Sequence, residues 1–255
     1  MFSEVEQFYD SMADFYHLIF EDWNQAISRQ AHIVDALIKY KLGTSSLRIL
    51  DCACGIGTQV LGLAAIGHRL SGSDLSNEAV QRARHEAAKR ELDVEFRVSD
   101  MTSLEEFSSD HFDDVVGAFD NALPHLSVDQ LAGAAHSFKR VLRDGGLFIA
   151  SIRDYDELIR TRPKFQGPSF FGDSGERRIV HQIWDWTGDD RYDVHQYISL
   201  QRNHKWGIHH FSSQYRCLLR AELGEALRLA EFTDIEWHMP KASGYHQPIV
   251  TARAL

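Results

Sequence analysis

Residues 47–57 read Leu-Arg-Ile-Leu-Asp-Cys-Ala-Cys-Gly-Ile-Gly. A short apolar run ends on an acid, a turn of small residues follows, and from residue 59 an apolar helical pattern begins. That is the order of a β-strand, a tight turn and a crossover helix, a place where small residues let a ligand approach the backbone. Glycines also serve strand-to-helix turns that bind nothing, so Gly55 and Gly57 gain meaning only from what lies around them. Residues 68–73 read as a second strand and 77–89 as its helix. Residues 94–98 and 114–119 give two more strands, and 128–142 a further helix. The Asp144-Gly145-Gly146 turn is expected to stop that helix and start a fifth strand over 147–152. Strands alternating with helices in this way predict an α/β fold around a mostly parallel sheet.

On the amino-terminal side, residues 5–20 and 24–40 read as helices, with Ile27, Ile33, Val34, Leu37 and Ile38 at helical spacing. A helical lid is therefore expected over 1–46. On the far side, residues 178–186, 192–201 and 205–215 alternate polar with apolar or aromatic side chains, the pattern of antiparallel strands. They are assigned to an insert over 161–218 that covers the sheet. A helix over 222–230 and strands over 232–239 and 248–252 close the main domain, which takes in 47–160 and 219–255.

The chain has 255 residues and is 44% hydrophobic, enough for one large α/β domain with an insertion. Its formal net charge of −10 argues against nucleic acid as a partner, because that affinity comes from clustered Lys and Arg on phosphates. The basic run 82–90 also holds Glu86 and reads as a solvated helix face. The first residues lack the basic start and apolar run of a signal peptide, and no stretch approaches the roughly 18 apolar residues of a membrane span. Cys52, Cys54 and Cys217 are odd in number, and the first two are too close in sequence for a structural bridge. A soluble protein of the cytoplasm is expected, with no membrane partner; whether it is a monomer or a homo-oligomer is left open. Cys54 has no second C-x-x-C or His-Cys cluster beside it, so it reads as a small buried filler and no metal is expected.

Two acids extend the turn into a ligand site. Asp74 ends the second strand about 20 residues past the glycines, where a carboxylate can accept from both ribose hydroxyls. Its alternative role as a helix N-cap can be filled by Ser76. Asp100 and Met101 close the third strand, one able to accept from an exocyclic amine and the other to pack on a purine. Three such features at successive strand ends point to a nucleoside. The third glycine of a dinucleotide fingerprint is absent, since Thr58, Gln59 and Val60 follow Gly57. The leading Asp51 suits a ligand with an ammonium group and no pyrophosphate, which a carboxylate there would repel.

The loop D-x-A-C-G-I-G resembles motif I of the class I S-adenosylmethionine-dependent methyltransferases, a Rossmann-like fold with a seven-stranded sheet. The resemblance runs through nearly the whole chain and is closest to the glycine N-methyltransferase-like branch of small-molecule N-methyltransferases. It implies S-adenosyl-L-methionine as cofactor, S-adenosyl-L-homocysteine as product and a small-molecule acceptor. The implied cofactor contacts are Tyr16, Arg29, Asp51, Ala53, Cys54, Gly55, Gly57, Asp74, Leu75, Asp100, Met101 and Phe119. The segment F-Y-H-L-I-F-E-D-W-N-Q-A-I-S-R-Q resembles the family's lid, with Tyr16 and Arg29 toward the methionine moiety and Tyr9 near the reacting methyl. F-D-N-A-L-P-H-L resembles the active-site loop, with Asn121 facing substrate. S-I-R-D-Y-D places Arg153 where glycine N-methyltransferases hold the substrate carboxylate. S-G-Y-H-Q-P-I-V places Tyr245 near the acceptor. The chain departs from the animal glycine enzymes at Tyr16, where they carry Trp, and at Asp120, Pro124 and His125, which bears on the acceptor rather than on the fold.

Methyl transfer from a sulfonium is an in-line displacement, so the protein must align an unprotonated nucleophile and exclude water. Tyr9, Asp120, Asn121 and His125 are the expected catalytic set, with Asp120 and His125 placed to hydrogen-bond an acceptor N–H. His209, His210 and His246 are further candidate bases, each also readable as a packing residue. Trp184, Trp186, Tyr192, Tyr197, Trp206, Phe211 and Tyr215 of the insert could stack on a planar substrate or form the insert's own core. Together with Tyr9 and Tyr245 they favour a heteroaromatic nitrogen of the azapteridine type found in toxoflavin-type biosynthesis, with Trp184, Tyr215, Asn121, Arg153 and Tyr245 as substrate contacts. Glycine or sarcosine is the alternative, carried by the fork of Arg153. A non-catalytic nucleoside-binding protein is a reading of another class. An NAD-dependent reductase is disfavoured because no Tyr-x-x-x-Lys pair is present.

Overall fold

The computed structural model describes residues 3–43, 46–107 and 113–255. The expected lid range therefore includes Met1, Phe2, Thr44 and Ser45, which lie outside the described residues. Helix α1 (Glu4–Met12) starts on a capping box in which Ser3 and Glu6 bond each other's backbone amides. The single helix expected over 5–20 does not form: α1 ends at Met12 and a short 3-10 turn takes Tyr16–Ile19. Residues 15–20 are apolar on nearly every side, which one helical stripe could not bury. The break lets Phe15 pack on His209, ring centroids 4.1 Å apart, while Tyr16 turns toward the sheet. Helix α2 (Trp23–Leu42) starts at Asp22, whose side chain accepts from the Gln25 amide, and stops at Gly43 with φ +69°.

The core alternates as its sequence predicts. It runs β1 (Arg48–Asp51), α3 (Thr58–Ala65), β2 (Arg69–Asp74), α4 (Asn77–Lys89), β3 (Val94–Val98), β4 (Asp113–Ala118), α5 (Val128–Val141) and β5 (Leu142–Ser151). The Asp144-Gly145-Gly146 segment corrects one expectation, because it lies inside β5. Leu142 already pairs Asp113 while Leu147 pairs Val115, so these residues bulge out of the ladder, with Gly145 at φ +71° making the bend. Two elements went unread between β5 and the first strand read in the insert. One is α6 (Tyr155–Thr161), and the other is β6 (Phe165–Phe171), which is exposed along most of its length and so shows no alternation. Strands β7 (Arg178–Trp186), β8 (Arg191–Arg202) and β9 (Lys205–Arg216) complete a four-stranded antiparallel sheet with β6. The chain then returns through α7 (Arg220–Leu229), β10 (Phe232–His238), the short α8 (Pro240–Ser243) and β11 (Ile249–Ala254).

The main sheet has the order β3-β2-β1-β4-β5-β11-β10, parallel from β3 to β5, with β11 antiparallel to both of its neighbours. This is the Rossmann-like class I methyltransferase arrangement. Helices α2, α3 and α4 cover one face, where Val34, Ile38, Val60, Leu61 and Val80 are fully buried. Helices α5 and α7 cover the other, around Phe138, stacked on Phe148 at 4.8 Å. Successive crossovers leave β1 in opposite directions, toward β2 and toward β4. The crevice at the carboxyl ends of these strands is the switch point at which open α/β sheets take ligands.

Candidate active site

Two cavities meet above the switch point. The first, about 320 Å³, lies under α1 and along the ends of β1, β2, β3 and β4. Its walls include Ala53, Cys54, Gly55, Asp74, Leu75, Asp100, Met101 and Phe119, all expected there from the sequence. The second, about 420 Å³, opens between α1, the 3-10 turn and the inner face of the four-stranded sheet, with Asn121, Arg153 and Tyr215 in its wall. Tyr9, Tyr16 and Asp120 face both cavities, and so form the partition. His125 faces the first.

The turn after β1 is shaped by its hydrogen bonds. Gly55 N–H donates to Asp74 Oδ2 at 2.8 Å, and Ser76 N–H donates to Asp74 Oδ1 at 3.0 Å, so one carboxylate ties two strand ends together. Desolvation raises the Asp74 carboxyl, against the pull of those amides. Gly55 has φ +50°, and a Cβ built on it meets nothing within 4 Å, so the backbone borders open space. Gly57 does not line the cavity; at φ +96° it is the N-cap of α3, where a Cβ would press on Leu61 at 3.2 Å. Asp51 stands just behind the lining, 1% exposed. Its Oδ1 accepts from Ala53 N–H at 3.3 Å and its Oδ2 has no partner. Desolvation pushes this carboxyl up to about 8, with Asp74 and Asp120 adding to the rise. An extended nucleoside bearing an ammonium group fits this cradle: open backbone at Gly55, the Asp74 carboxylate, and an orphaned acid at Asp51.

Four residues far apart in sequence, Gln30, Gln59, Asp120 and Tyr245, meet at the partition. Asp120 and Asn121 both have positive φ, +51° and +78°, a strained turn that aims their side chains into the crevice. Asp120 Oδ1 accepts from the Tyr245 hydroxyl at 2.7 Å, and Oδ2 accepts from Gln59 Nε2 at 2.9 Å. Gln59 also donates to Gln30 Oε1 at 2.6 Å. The sequence carried no signal for Gln30 and Gln59, since neither is a residue of reacting type. Nor did it mark His246, whose Nε2 lies 3.4 Å from Asp120 Oδ1, as belonging to this cluster. Across the crevice the Tyr9 hydroxyl is 3.0 Å from His125 Nε2. Desolvation lowers the His125 imidazole to about 3, and the positive charge of Arg153 acts in the same direction, so at neutral pH it is uncharged.

Arg153 closes the far end of the second cavity. Its guanidinium donates to the Tyr192 hydroxyl at 3.0 Å and to Gln182 Oε1 at 3.1 Å, over the faces of Trp184 at 4.8 Å and Tyr215 at 5.3 Å. Among the described residues no carboxylate pairs with it. Its backbone is fixed by Asn121, whose Oδ1 accepts from Arg153 N–H at 3.1 Å and from the Tyr155 hydroxyl at 3.0 Å.

Three expected contacts fall elsewhere. Arg29 is exposed on α2, because the buried stripe of that helix runs through Ala26, Ile27, Gln30 and Ala31, and Arg29 is out of phase with it. Trp184 lines neither cavity. It is 4% exposed, stacked on Tyr192 at 4.9 Å, and forms the floor beneath Arg153. Tyr245, 1% exposed, also lines neither; it holds Asp120 from behind. Of the other aromatic residues, Phe211 packs under α1, Tyr192 is fully buried and Trp206 is exposed, so Tyr215 alone of the insert's set lines the second cavity. Among the described residues no group of three or more His, Cys, Asp or Glu is placed to hold a metal ion, and no helix is long and apolar enough to cross a membrane.

Comparison with known proteins supplies the family. Residues 49–146 match the methyltransferase domain family. An uncharacterised methyltransferase of Schizosaccharomyces pombe is 31% identical over 151 residues, which cover 56% of this chain and 96% of that protein. The chain belongs to the methyltransferase family. A ubiquinone biosynthesis O-methyltransferase of Alkalilimnicola ehrlichii is 34% identical over 109 residues, 43% of this family member and 42% of the relative. The chain thus spans less than half the length of that curated relative. In three dimensions the family member superposes on DesVI of Streptomyces venezuelae with a TM-score of 0.77 at 19% identity, over 94% of this chain and 97% of that one. That likeness is one of fold.

Proposed function

We propose that the chain transfers the methyl group of S-adenosylmethionine to the nitrogen of a small acceptor that carries an anionic group. The methyltransferase family, the nucleoside-shaped first cavity and the orphaned Asp51 carboxylate support the cofactor. When bound, S-adenosylmethionine supplies an activated methyl on a sulfonium. Asp74 and the 53–55 backbone bind the nucleoside end, Asp51 faces the ammonium, and Tyr9, Tyr16 and Asp120 surround the gap between the cavities. Asp120 accepts a hydrogen bond from the acceptor N–H, which keeps a lone pair aimed across the gap, while neutral His125 holds the Tyr9 hydroxyl at the partition. Helix α1 excludes water from above.

The observation that carries the acceptor reading is Arg153, a half-buried guanidinium with neutral partners only in the wall of the second cavity. A cation partly withdrawn from water without a counter-charge is costly, and a carboxylate on the substrate would complete it with two parallel hydrogen bonds. This moves the balance from the heteroaromatic acceptor to a carboxylate-bearing amine of the glycine or sarcosine kind, as in the glycine N-methyltransferase-like branch. The heterocycle retains Tyr9, Tyr16 and Tyr215 as stacking walls. Three buried, free cysteines suit the reducing cytoplasm proposed for it. The test is transfer of labelled methyl to glycine, sarcosine and a panel of nitrogen heterocycles. Turnover of a heterocycle with none on the carboxylated amines would overturn the anionic-group reading. Cofactor binding without turnover on any acceptor would favour a nucleoside-binding protein.

A further inference from the structure

Near neutral pH an aliphatic amine is mostly ammonium, so a proton has to leave before its nitrogen has a lone pair to attack with. The groups around the second cavity differ in their fitness to take it. Burial raises the hydroxyls of Tyr9, Tyr16 and Tyr215 above the usual phenol value, as it does that of Tyr245 behind Asp120, so all four stay protonated. The Arg153 guanidinium only donates. His125 has its Nε2 on the Tyr9 hydroxyl, and burial, by lowering it to about 3, keeps it from holding a proton. The ring of His181 stacks on Tyr197 at 5.0 Å, on the side of β7 opposite to Val180 and Gln182, which face the cavity. Asp120 already accepts from the Tyr245 hydroxyl at Oδ1 and from Gln59 at Oδ2. His246 is placed differently from all of these. It lines the same cavity, its Nε2 lies 3.4 Å from Asp120 Oδ1, and its side chain is 46% exposed, so it borders both the partition and water.

We propose that His246 is the base that deprotonates the acceptor's ammonium, with the Asp120 carboxylate as its counter-ion. This rests on the reading of the acceptor as an amine and adds how that amine is readied for transfer. The ammonium proton passes to His246 Nε2, and the electron pair of the broken N–H bond stays on nitrogen. That pair forms the new N–C bond as the methyl–sulfur bond breaks and its electrons return to sulfur, so the positive charge moves from sulfur to the methylated nitrogen. The imidazolium left behind stands at ion-pair distance from Asp120, which offsets its charge. Because the ring reaches solvent, it hands the proton to water, and one proton leaves for each methyl moved. An imidazole open to water can take up and release a proton near neutral pH within one turnover. The division of labour follows from position: Asp120 orients the nitrogen from the partition, and His246 carries its proton out.

Transfer of labelled methyl to carboxylated amines, followed across pH, tests this. At pH 7, His246→Gln, which keeps a polar side chain and loses the base, should lower kcat/KM on the order of 100-fold. Cofactor affinity and Tm should stay unchanged, since the ring is half exposed. The deficit should shrink as pH rises through the acceptor's own ammonium pKa, because a free amine needs no base, and added imidazole should restore part of the rate to His246→Ala. A second readout needs no turnover. In the S-adenosylhomocysteine complex, adding the amine should move the imidazole C–H resonance that His246→Gln deletes toward its protonated position. A deficit that stays constant with pH and that imidazole leaves alone overturns the proposal, as does a His246 resonance that the amine does not move. Wild-type turnover of an amine that His246→Gln leaves undiminished removes this proposal alone, whereas a wild type that methylates no amine removes the amine reading and this proposal with it.

Discussion

The Tyr245 hydroxyl donates to Asp120 Oδ1 over 2.7 Å from a ring that never reaches either cavity. The closing segment before β11 thereby sets the direction of the carboxylate that divides the two cavities. Removing the hydroxyl in Tyr245→Phe deletes a hydrogen bond to an ionised group, an effect of about 1.5–3 kcal/mol. The acceptor's kcat/KM should fall roughly 10- to 100-fold, while cofactor affinity, measured by calorimetry, stays within about twofold. Equal losses in both would mean that Tyr245 supports the fold rather than Asp120.

Asp74 ties the Gly55 amide to β2, so its loss should cost cofactor in two ways, through the ribose contacts and through the turn itself. Asp74→Ala is expected to weaken S-adenosylhomocysteine binding by about 1.5–3 kcal/mol. Gly55→Val fills the open space beside the turn and should abolish the ligand-induced rise in Tm. A folded Gly55→Val protein that keeps the full rise would place the nucleoside elsewhere.

For Arg153, replacement by Lys keeps the charge and loses the fork. The half-saturation concentration of a carboxylated acceptor should rise at least tenfold, ~1.4 kcal/mol or more. Asn121→Ala, which frees the Arg153 amide and the Tyr155 hydroxyl, should lower both kcat and stability. If Arg153→Lys leaves the acceptor's half-saturation value alone, no carboxylate binds there.

Asp51 makes stability depend on pH in a direction opposite to a salt-bridged acid. Its folded pKa of about 8 lies above the ordinary carboxylate value, so between roughly pH 4 and 8 the folded chain holds a proton that the unfolded chain has lost. Stability from this group is full below pH 4 and declines as pH rises to about 8. Wild type should therefore lose Tm relative to Asp51→Asn across that window in the absence of ligand. An ammonium-bearing ligand compensates the ionised form, so the Tm gain from S-adenosylmethionine should grow over the same range in wild type and not in Asp51→Asn. Parallel Tm curves for the two proteins would show that Asp51 is ionised in the folded chain as it is in the unfolded one.

Much of this architecture could be read from the chain because periodicity records burial. The strands that build the sheet and the helices α2 to α5 each have one buried stripe or run, and their ends carry caps such as Ser76 and Ser127. Strand β6 could not be read, since a strand exposed on both faces leaves no alternation. The nucleoside side of the site was visible because it sits at consecutive strand ends, whose spacing is fixed by the βαβ unit. The acceptor side was less so. Trp184 and Tyr245 are aromatic for the sake of the core, and Arg29 is one helical step from the buried Gln30; a single sequence does not state which way a side chain points. The polar cluster of Gln30, Gln59, Asp120 and Tyr245 is assembled by tertiary contact alone.

Helix α1 roofs the first cavity and also borders the second, and it is pinned where Asp10 accepts from Ser76 Oγ at 2.5 Å and from Glu78 N–H at 3.3 Å. A spent nucleoside lying beneath it is held in part by that roof. Under the proposed reaction, where product release limits the cycle, the unlatching of one helix sets its pace. Slackening the latch would then speed turnover at saturating substrate while loosening the grip on cofactor, so that a single carboxylate, distant from the reacting atoms, trades residence time against throughput.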